Sequence, residues 1–333
     1  MKAYTVERYD KELGLKLADL PEPEVGENDV FVEVHAAGIN LLDSKIKSGE
    51  FKLILPYKLP IILGHDVAGI VTKVGKNVKQ FNIGDEIYAR VADFRMGTFA
   101  EYIAINESDV ALKPNNLSME EAASIPLVAL TAWQTLVEKA NLKKGQKVFI
   151  QAGSGGVGTI AIQLAKHLGA TVATTASEKS FAMLKELGAD VLINYKNEDF
   201  ETILKGYDVV LNSQDTQTLE KSLRILKPGG KAISISGPPT PDFAKGIGAS
   251  WIIRTVLSLI SFGIRKKATK LGVAYSFLFM RADGKQLSEI TSLIAAGTIV
   301  PVVDKVFPFD QANEALTYVE SGRAKGKVVI KVK

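Results

Sequence analysis

The chain has 333 residues, 46% hydrophobic and 23% charged, with a net charge of +4 at pH 7 and no cysteine. That length suits two domains better than one, and the lack of cysteine excludes disulfides, thiol catalysis and cysteine-ligated zinc or iron–sulfur centres. The basic residues are scattered, which argues against a nucleic-acid-binding stripe, and MKAYTVERYD at the start carries no apolar secretory core, so a cytoplasmic protein is expected.

Residues 1–125 read as β-rich. Short β-branched runs at 2–8, 30–36, 67–74, 86–89 and 102–105 are parted by turn signals such as Gly75-Lys76-Asn77 and Gly84-Asp85. Strands this dense, without long helices between them, predict a compact barrel-like unit. From 126 the rhythm changes. A helix over 129–140 leads into the strand Val148–Ile150, then a glycine-crowded turn and a helix over 159–167. Strands at 171–176, 191–193, 207–211 and 231–235 then alternate with helices at 178–187, 198–204 and 216–226, the pattern of a doubly wound parallel sheet. The expected class is therefore α/β, with a β-rich domain at 1–125 and a nucleotide-binding domain at 126–272. A C-terminal segment at 273–333 carries helices at 285–296 and 310–321 and a strand at 327–332 that returns to the first domain. The apolar stretch 246–272 holds Trp251 and is broken by Arg254, too short a run to span a bilayer. It is expected to cover the sheet end or meet a subunit, with a lid or a membrane-surface helix as the other readings; membrane contact is not the favoured one.

The glycine turn carries the strongest chemical signal. Gly153, Gly155 and Gly158 fit G-x-G-x-x-G between a strand and a helix, with Ser154, Gly156 and Val157 filling the turn. Glycines let backbone amides approach a pyrophosphate, whose charge also meets the positive end of the helix dipole. At the end of the next strand an NAD-binding chain offers a carboxylate to the ribose; here Ser177 stands there, followed by Glu178 and Lys179. A hydroxyl and a cation suit a 2′-phosphate, so NADPH is the expected cofactor. Asn212 and Ser213 end the fourth strand, on the edge a dinucleotide crosses.

AAGIN at 36–40, LGHDVAG at 63–69, GTFAEY at 97–102, AGSGGVG at 152–158, LGA-D at 187–190 and GRAKGKVVI at 322–330 follow one another in order. With these motifs the chain resembles, over essentially its whole length, the zinc-independent quinone-oxidoreductase and enone-reductase branch of the medium-chain dehydrogenase/reductase superfamily. The resemblance implies a GroES-like N-terminal domain, a Rossmann domain, and a nicotinamide held in the cleft between them. It implies NADPH-dependent reduction of quinones or of the C=C bond in α,β-unsaturated carbonyls, and a homodimer paired by strand edges near 231–235. The zinc-dependent branch carries a cysteine where Asn40 stands, while His65 and Asp66 match its second ligand and acidic neighbour. An amide oxygen in place of a thiolate suits zinc poorly, so no metal is expected and His65 is read as a structural histidine. Zinc-dependent alcohol dehydrogenation and a non-catalytic NADPH-binding interaction protein are the alternatives.

The resemblance also places residues. Asn40, Asp43 and Lys45 match an N-x-x-D-x-K pattern. It sets Asn40 towards nicotinamide or substrate and lets Lys45 donate to the developing oxyanion or the ribose; the bland alternative is a surface lysine paired with Asp43. Thr131 matches a threonine close to the nicotinamide, or packs within its helix. Tyr57 is a pocket aromatic or an ordinary loop residue. Tyr195 is expected beside the adenosine phosphate. Gly237 and the run 277–280, with Phe279, are expected to frame nicotinamide and substrate, and Arg323 and Lys325 to reach phosphate unless they only decorate a turn.

Overall fold

The computed structural model describes residues 1–52 and 54–333. It divides into Met1–Leu130 with Arg281–Lys333, and Thr131–Met280.

The first unit is built round one long strand, Asp29–Ile39. On one side it pairs antiparallel with Asp66–Val74, and beyond that lie Glu86–Arg90 and Val110–Leu112; opposite these, Tyr102–Asn106 pairs with its first half. On the other side it takes the C-terminal strand Lys327–Lys331, in the register Val328 to Ile39 and Val329 to Gly38, followed by Val303–Pro308. The β-branched residues explain this sheet. Val30, Val32 and Val34 alternate onto one face and meet Val67, Val71, Ile87, Ile103 and Ile105 in a closed core. A separate three-stranded sheet joins Lys16–Asp19, Lys2–Val6 and Ile61–Ile62.

The second unit is a six-stranded parallel sheet in the order Val191–Asn194, Thr171–Ala176, Lys147–Ile150, Tyr207–Asn212, Leu226–Ser234, Ala274–Phe277. Its central strands Lys147–Ile150, Thr171–Ala176 and Tyr207–Asn212 are buried in all but a first residue, as expected for a parallel sheet covered on both faces. The order reverses at Lys147–Ile150, the first strand, and the glycine turn leaves from its carboxyl end.

The class is the expected α/β, and several elements differ in detail. The helix predicted over 129–140 runs as Pro126–Trp133 and then widens into a π-helical turn, Gln134–Lys139, closed by the Ala140 N–H on the Thr135 carbonyl at 2.8 Å. Strand 231–235 begins at Leu226, because the Lys227–Gly230 turn signal sits inside it. It is also internal: Ala274–Phe277, not predicted as a strand, takes the edge. The 246–272 stretch contains the helix Trp251–Lys270, whose Leu257, Ser261, Ile264 and Ala268 are buried, Ile264 and Ala268 in the core that also holds Ala232 and Val273. No described helix is long and apolar enough to cross a membrane.

Candidate cofactor and catalytic site

In the second unit the chain leaves Lys147–Ile150 and turns through Ala152, which itself holds a positive φ of 50°. The Gly153 N–H donates to the Thr175 carbonyl at 3.0 Å, and a Cβ at 153 would stand 2.2 Å from Thr174 Oγ1. A Cβ at 158 would stand 2.5 Å from the Ala152 carbonyl oxygen and 2.6 Å from Gly153 Cα. These two glycines therefore let the turn lie directly on the neighbouring strand and on the first turn of the helix Gly156–His167. Gly155 is the N-cap and brings no side-chain acceptor. First-turn N–H groups have no intrahelical partner, so those of Gly156 and Val157 are left to an outside acceptor at the positive end of the dipole. Ser154, Gly156 and Val157 are all part-exposed around this end.

The next strand closes at Ala176, and Ser177 follows it half-buried, ahead of a 3₁₀ turn, Glu178–Ser180, whose Glu178 and Lys179 are both exposed. The strand end thus carries a hydroxyl, with the ammonium two residues on. Tyr195, after the strand Val191–Asn194, is 61% exposed and leaves its ring open to a ligand.

Asn212 has a different place from an open strand edge. It is fully buried; its Nδ2 donates to Gln151 Oε1 at 2.7 Å and its Oδ1 accepts from the Ser234 and Ser236 hydroxyls. Gln151 in turn donates to Ser222 Oγ at 2.6 Å. This network braces the residue from which the glycine turn departs, so Asn212 is a strut behind that turn. Ser213 joins it, its N–H reaching Gln151 Oε1 at 3.3 Å. Gly237 is also a close-packing position, its N–H on Ser234 Oγ at 2.7 Å and a Cβ there only 2.8 Å from the Tyr275 hydroxyl. Phe279 is half-buried and tilts against Phe243 at 6.0 Å; Thr131 is buried in its helix.

The first unit holds a buried chain of polar groups. Asn40 caps the helix Leu41–Lys47, and its N–H donates to Asp43 Oδ2 at 2.8 Å. The Asn40 and Asp43 spacing is therefore half a capping box, a signal readable in the sequence. The Asn40 side chain turns away from that helix: Nδ2 donates to Asp66 Oδ2 at 3.0 Å, and Oδ1 accepts from Lys327 Nζ. Lys327 also donates to Asp66 Oδ2 at 3.2 Å and to the Ile39 carbonyl at 2.9 Å, and Asp66 Oδ1 accepts the Leu127 N–H at 2.8 Å. Burial pushes the Asp66 carboxyl up, opposed by Lys327, Asn40 and the Leu127 N–H. Asp43 Oδ1 pairs with His65 Nδ1 at 2.8 Å, both side chains fully buried.

Lys327 is the residue the sequence reading missed. Arg323 and Lys325, the cations expected to reach phosphate, lie in the turn before the terminal strand, Arg323 exposed and Lys325 half-buried. Lys45 faces solvent and lies 3.8 Å from Glu50, not from Asp43. The Tyr57 hydroxyl donates to the Asp93 carbonyl at 2.8 Å, and its ring tilts on Phe94 at 5.6 Å; burial pushes its phenol well up.

The donor set does not suit zinc. Among the described residues His65 Nε2 has no hydrogen-bond partner, and the carboxylate oxygen nearest to it, Asp93 Oδ1 at 3.9 Å, is held by the Arg90 guanidinium. A cation already stands where a divalent ion needs negative charge, and the Asn40 oxygen is committed to an ammonium. Among the described residues no three His, Asp or Glu side chains gather as a metal site.

A family profile described as an alcohol dehydrogenase GroES-like domain matches residues 26–115, and one described as a zinc-binding dehydrogenase matches 187–330. The chain is 36% identical to 2-methylene-furan-3-one reductase of Solanum lycopersicum, over 99% of this chain and 79% of that one. It is 35% identical, with the same coverage, to the chloroplastic NADPH-dependent alkenal/one oxidoreductase of Arabidopsis thaliana. The solved quinone oxidoreductase of Coxiella burnetii superposes over 100% of this chain and 99% of its own, with a TM-score of 0.87 and 31% identity. A β-rich GroES-like unit, a doubly wound parallel sheet and relatives of this closeness together place the chain in the medium-chain dehydrogenase/reductase superfamily, in its quinone-oxidoreductase and enone-reductase branch.

Proposed function

We propose that the protein is an NADPH-dependent reductase of quinones or of the C=C bond of α,β-unsaturated carbonyls, working without a metal. The observation that carries the reading is the glycine-lined helix start at Gly155–Gly158, whose N-cap brings no side-chain acceptor, with the Ser177 hydroxyl rather than a carboxylate directly at the end of the next strand and Lys179 two residues on. The amides of Gly156 and Val157 hold the pyrophosphate, Ser177 and Lys179 take the 2′-phosphate, and Tyr195 lies along the adenosine. Gly237, Phe279 and Thr131 frame the nicotinamide, with Lys325 a further phosphate contact. Asn212 acts indirectly, by bracing Gln151. The names of the tomato and Arabidopsis relatives support the enone and NADPH parts of this reading, and that of the Coxiella structure the quinone part.

NADPH, when bound, supplies the hydride. What the chain adds is a donor for the oxygen on which negative charge develops. Lys45 is the exposed ammonium assigned to that task, and Asn40, held by Asp66 and Lys327, is the rigid group beside it in sequence. A homodimer paired along the free edge of Ala274–Phe277 belongs to the same reading.

The test is loss of NADPH absorbance with a panel of quinones and enones, on protein freed of metal by chelation. Turnover with at least one class, faster with NADPH than NADH, is expected. No turnover with any member, or activity restored only by zinc, overturns the proposal.

A further inference from the structure

The helix Trp251–Lys270 is apolar on both sides. Its inner stripe, Leu257, Ser261, Ile264 and Ala268, is buried. The outer face of its first three turns is also apolar: Ile252, Val256, Leu259 and Ile260 face solvent, flanked by Trp251 and Phe262. Trp251 is 76% exposed and Leu259 72%. An apolar patch of this size on a solvent face marks an interaction surface.

Its occupant follows from charge. Residues 243–280 contain six basic side chains, Lys245, Arg254, Arg265, Lys266, Lys267 and Lys270, and no acidic one, leaving the rest of the chain at −2 against the overall +4. Among the described residues Lys267 alone of these pairs with a carboxylate, Glu220, while Lys266 sits over the Phe262 ring at 5.9 Å. A second copy would bring six like charges against six. An apolar stripe with aromatic residues and unpaired cations beside it matches an anionic lipid surface, into which such a helix sinks about 5–10 Å while its cations stay at the headgroups.

We infer that the outer face of Trp251–Lys270 binds reversibly to anionic bilayers, with Trp251, Ile252, Leu259 and Ile260 entering the headgroup boundary and Lys266 and Lys270 meeting phosphates.

Co-sedimentation of the full chain with phosphatidylcholine vesicles, with and without phosphatidylglycerol, tests this. Binding is expected only with the anionic lipid, with a blue shift of Trp251 emission that Trp251→Phe abolishes, and weakening by salt. Leu259→Ser with Ile260→Ser should lower affinity by about tenfold or more. Lys266→Glu with Lys270→Glu should lower it by at least about tenfold. All four positions point outward, so thermal melting is expected to be unchanged and serves as the folding control. Wild-type protein left in the supernatant with anionic vesicles overturns the inference. So does undiminished binding of the Leu259→Ser, Ile260→Ser variant, since charge alone would then suffice. Light scattering that shows the same variant splitting a dimer also overturns it, by assigning the face to a second copy.

Discussion

Replacing Lys327 with methionine isolates the electrostatic centre of the first unit. Asp66 is fully enclosed and Lys327 nearly so, and among the described residues the ammonium is the only cation paired with that carboxylate. Methionine fills a similar volume, so the loss is of charge and three hydrogen bonds, to Asp66, Asn40 and the Ile39 carbonyl. What remains on Asp66 is two neutral donors, Asn40 Nδ2 and the Leu127 N–H. Breaking a buried pair from one side costs about 3–5 kcal/mol, a large share of a total near 5–15 kcal/mol. For a chain of this size, with an unfolding entropy of roughly 0.7 kcal/mol/K, that lowers Tm by roughly 4–7 °C. The pH dependence is the sharper test. Burial already raises Asp66, and without Lys327 it rises further. Between the ordinary carboxylate value and that raised one, the folded variant holds a proton that the unfolded chain does not. Its stability therefore increases as pH falls through this window, and the gap to wild type narrows. Adding Asp66→Asn should recover part of the loss. Denaturant unfolding at several pH values measures all three. A Lys327→Met variant within 1 kcal/mol of wild type, or a gap that does not change with pH, would refute the reasoning, since an unpaired buried carboxylate cannot be that cheap.

Gly158→Ala places a methyl 2.5 Å from the Ala152 carbonyl and must shift backbone. It should weaken NADPH binding by about tenfold or more and cost about 1–3 kcal/mol in stability, by calorimetry and thermal melting. Ser177→Asp puts a carboxylate at the strand end; the ratio of kcat/KM for NADPH over NADH should fall at least about tenfold, and an unchanged ratio would move the 2′-phosphate elsewhere. Asn212→Ala takes one of two donors from Gln151 Oε1 and the buried acceptor from the Ser234 hydroxyl, so destabilisation of about 1–3 kcal/mol is expected together with weaker NADPH binding. Arg95 holds Asp29 by two bonds of 2.8 and 2.6 Å, and its hydrogen bonds keep that carboxyl below the usual range. This contribution is complete above the unfolded carboxylate value and is lost as pH falls through the lowered folded one; with the Arg95 side chain 40% exposed and screened by water, Arg95→Met should destabilise by about 1 kcal/mol at neutral pH and converge with wild type in acid.

What the sequence disclosed, and what it withheld, divides by the range of the interactions. The alternation of strands and helices after 126, the glycine turn and the hydroxyl at 177 are local patterns, each set by φ/ψ and by spacing along a few residues. They were legible. Ala274–Phe277 was not, because a four-residue edge strand draws its identity from Leu226–Ser234, some forty residues earlier. The polar cluster shows the same limit more sharply. Lys325 and Lys327 differ by two positions in GRAKGK, and nothing in that string says which is enclosed. The register does: Val328 opposite Ile39 carries Lys327 to the end of Asp29–Ile39, within reach of the Ile39 carbonyl, Asn40 and Asp66. A strand that returns from the far end of the chain thus provides the cation for an aspartate at position 66. Asn40 acquires its neighbours by the same closure, which is why its fixed orientation, if catalysis uses it, depends on residues nearly three hundred positions away.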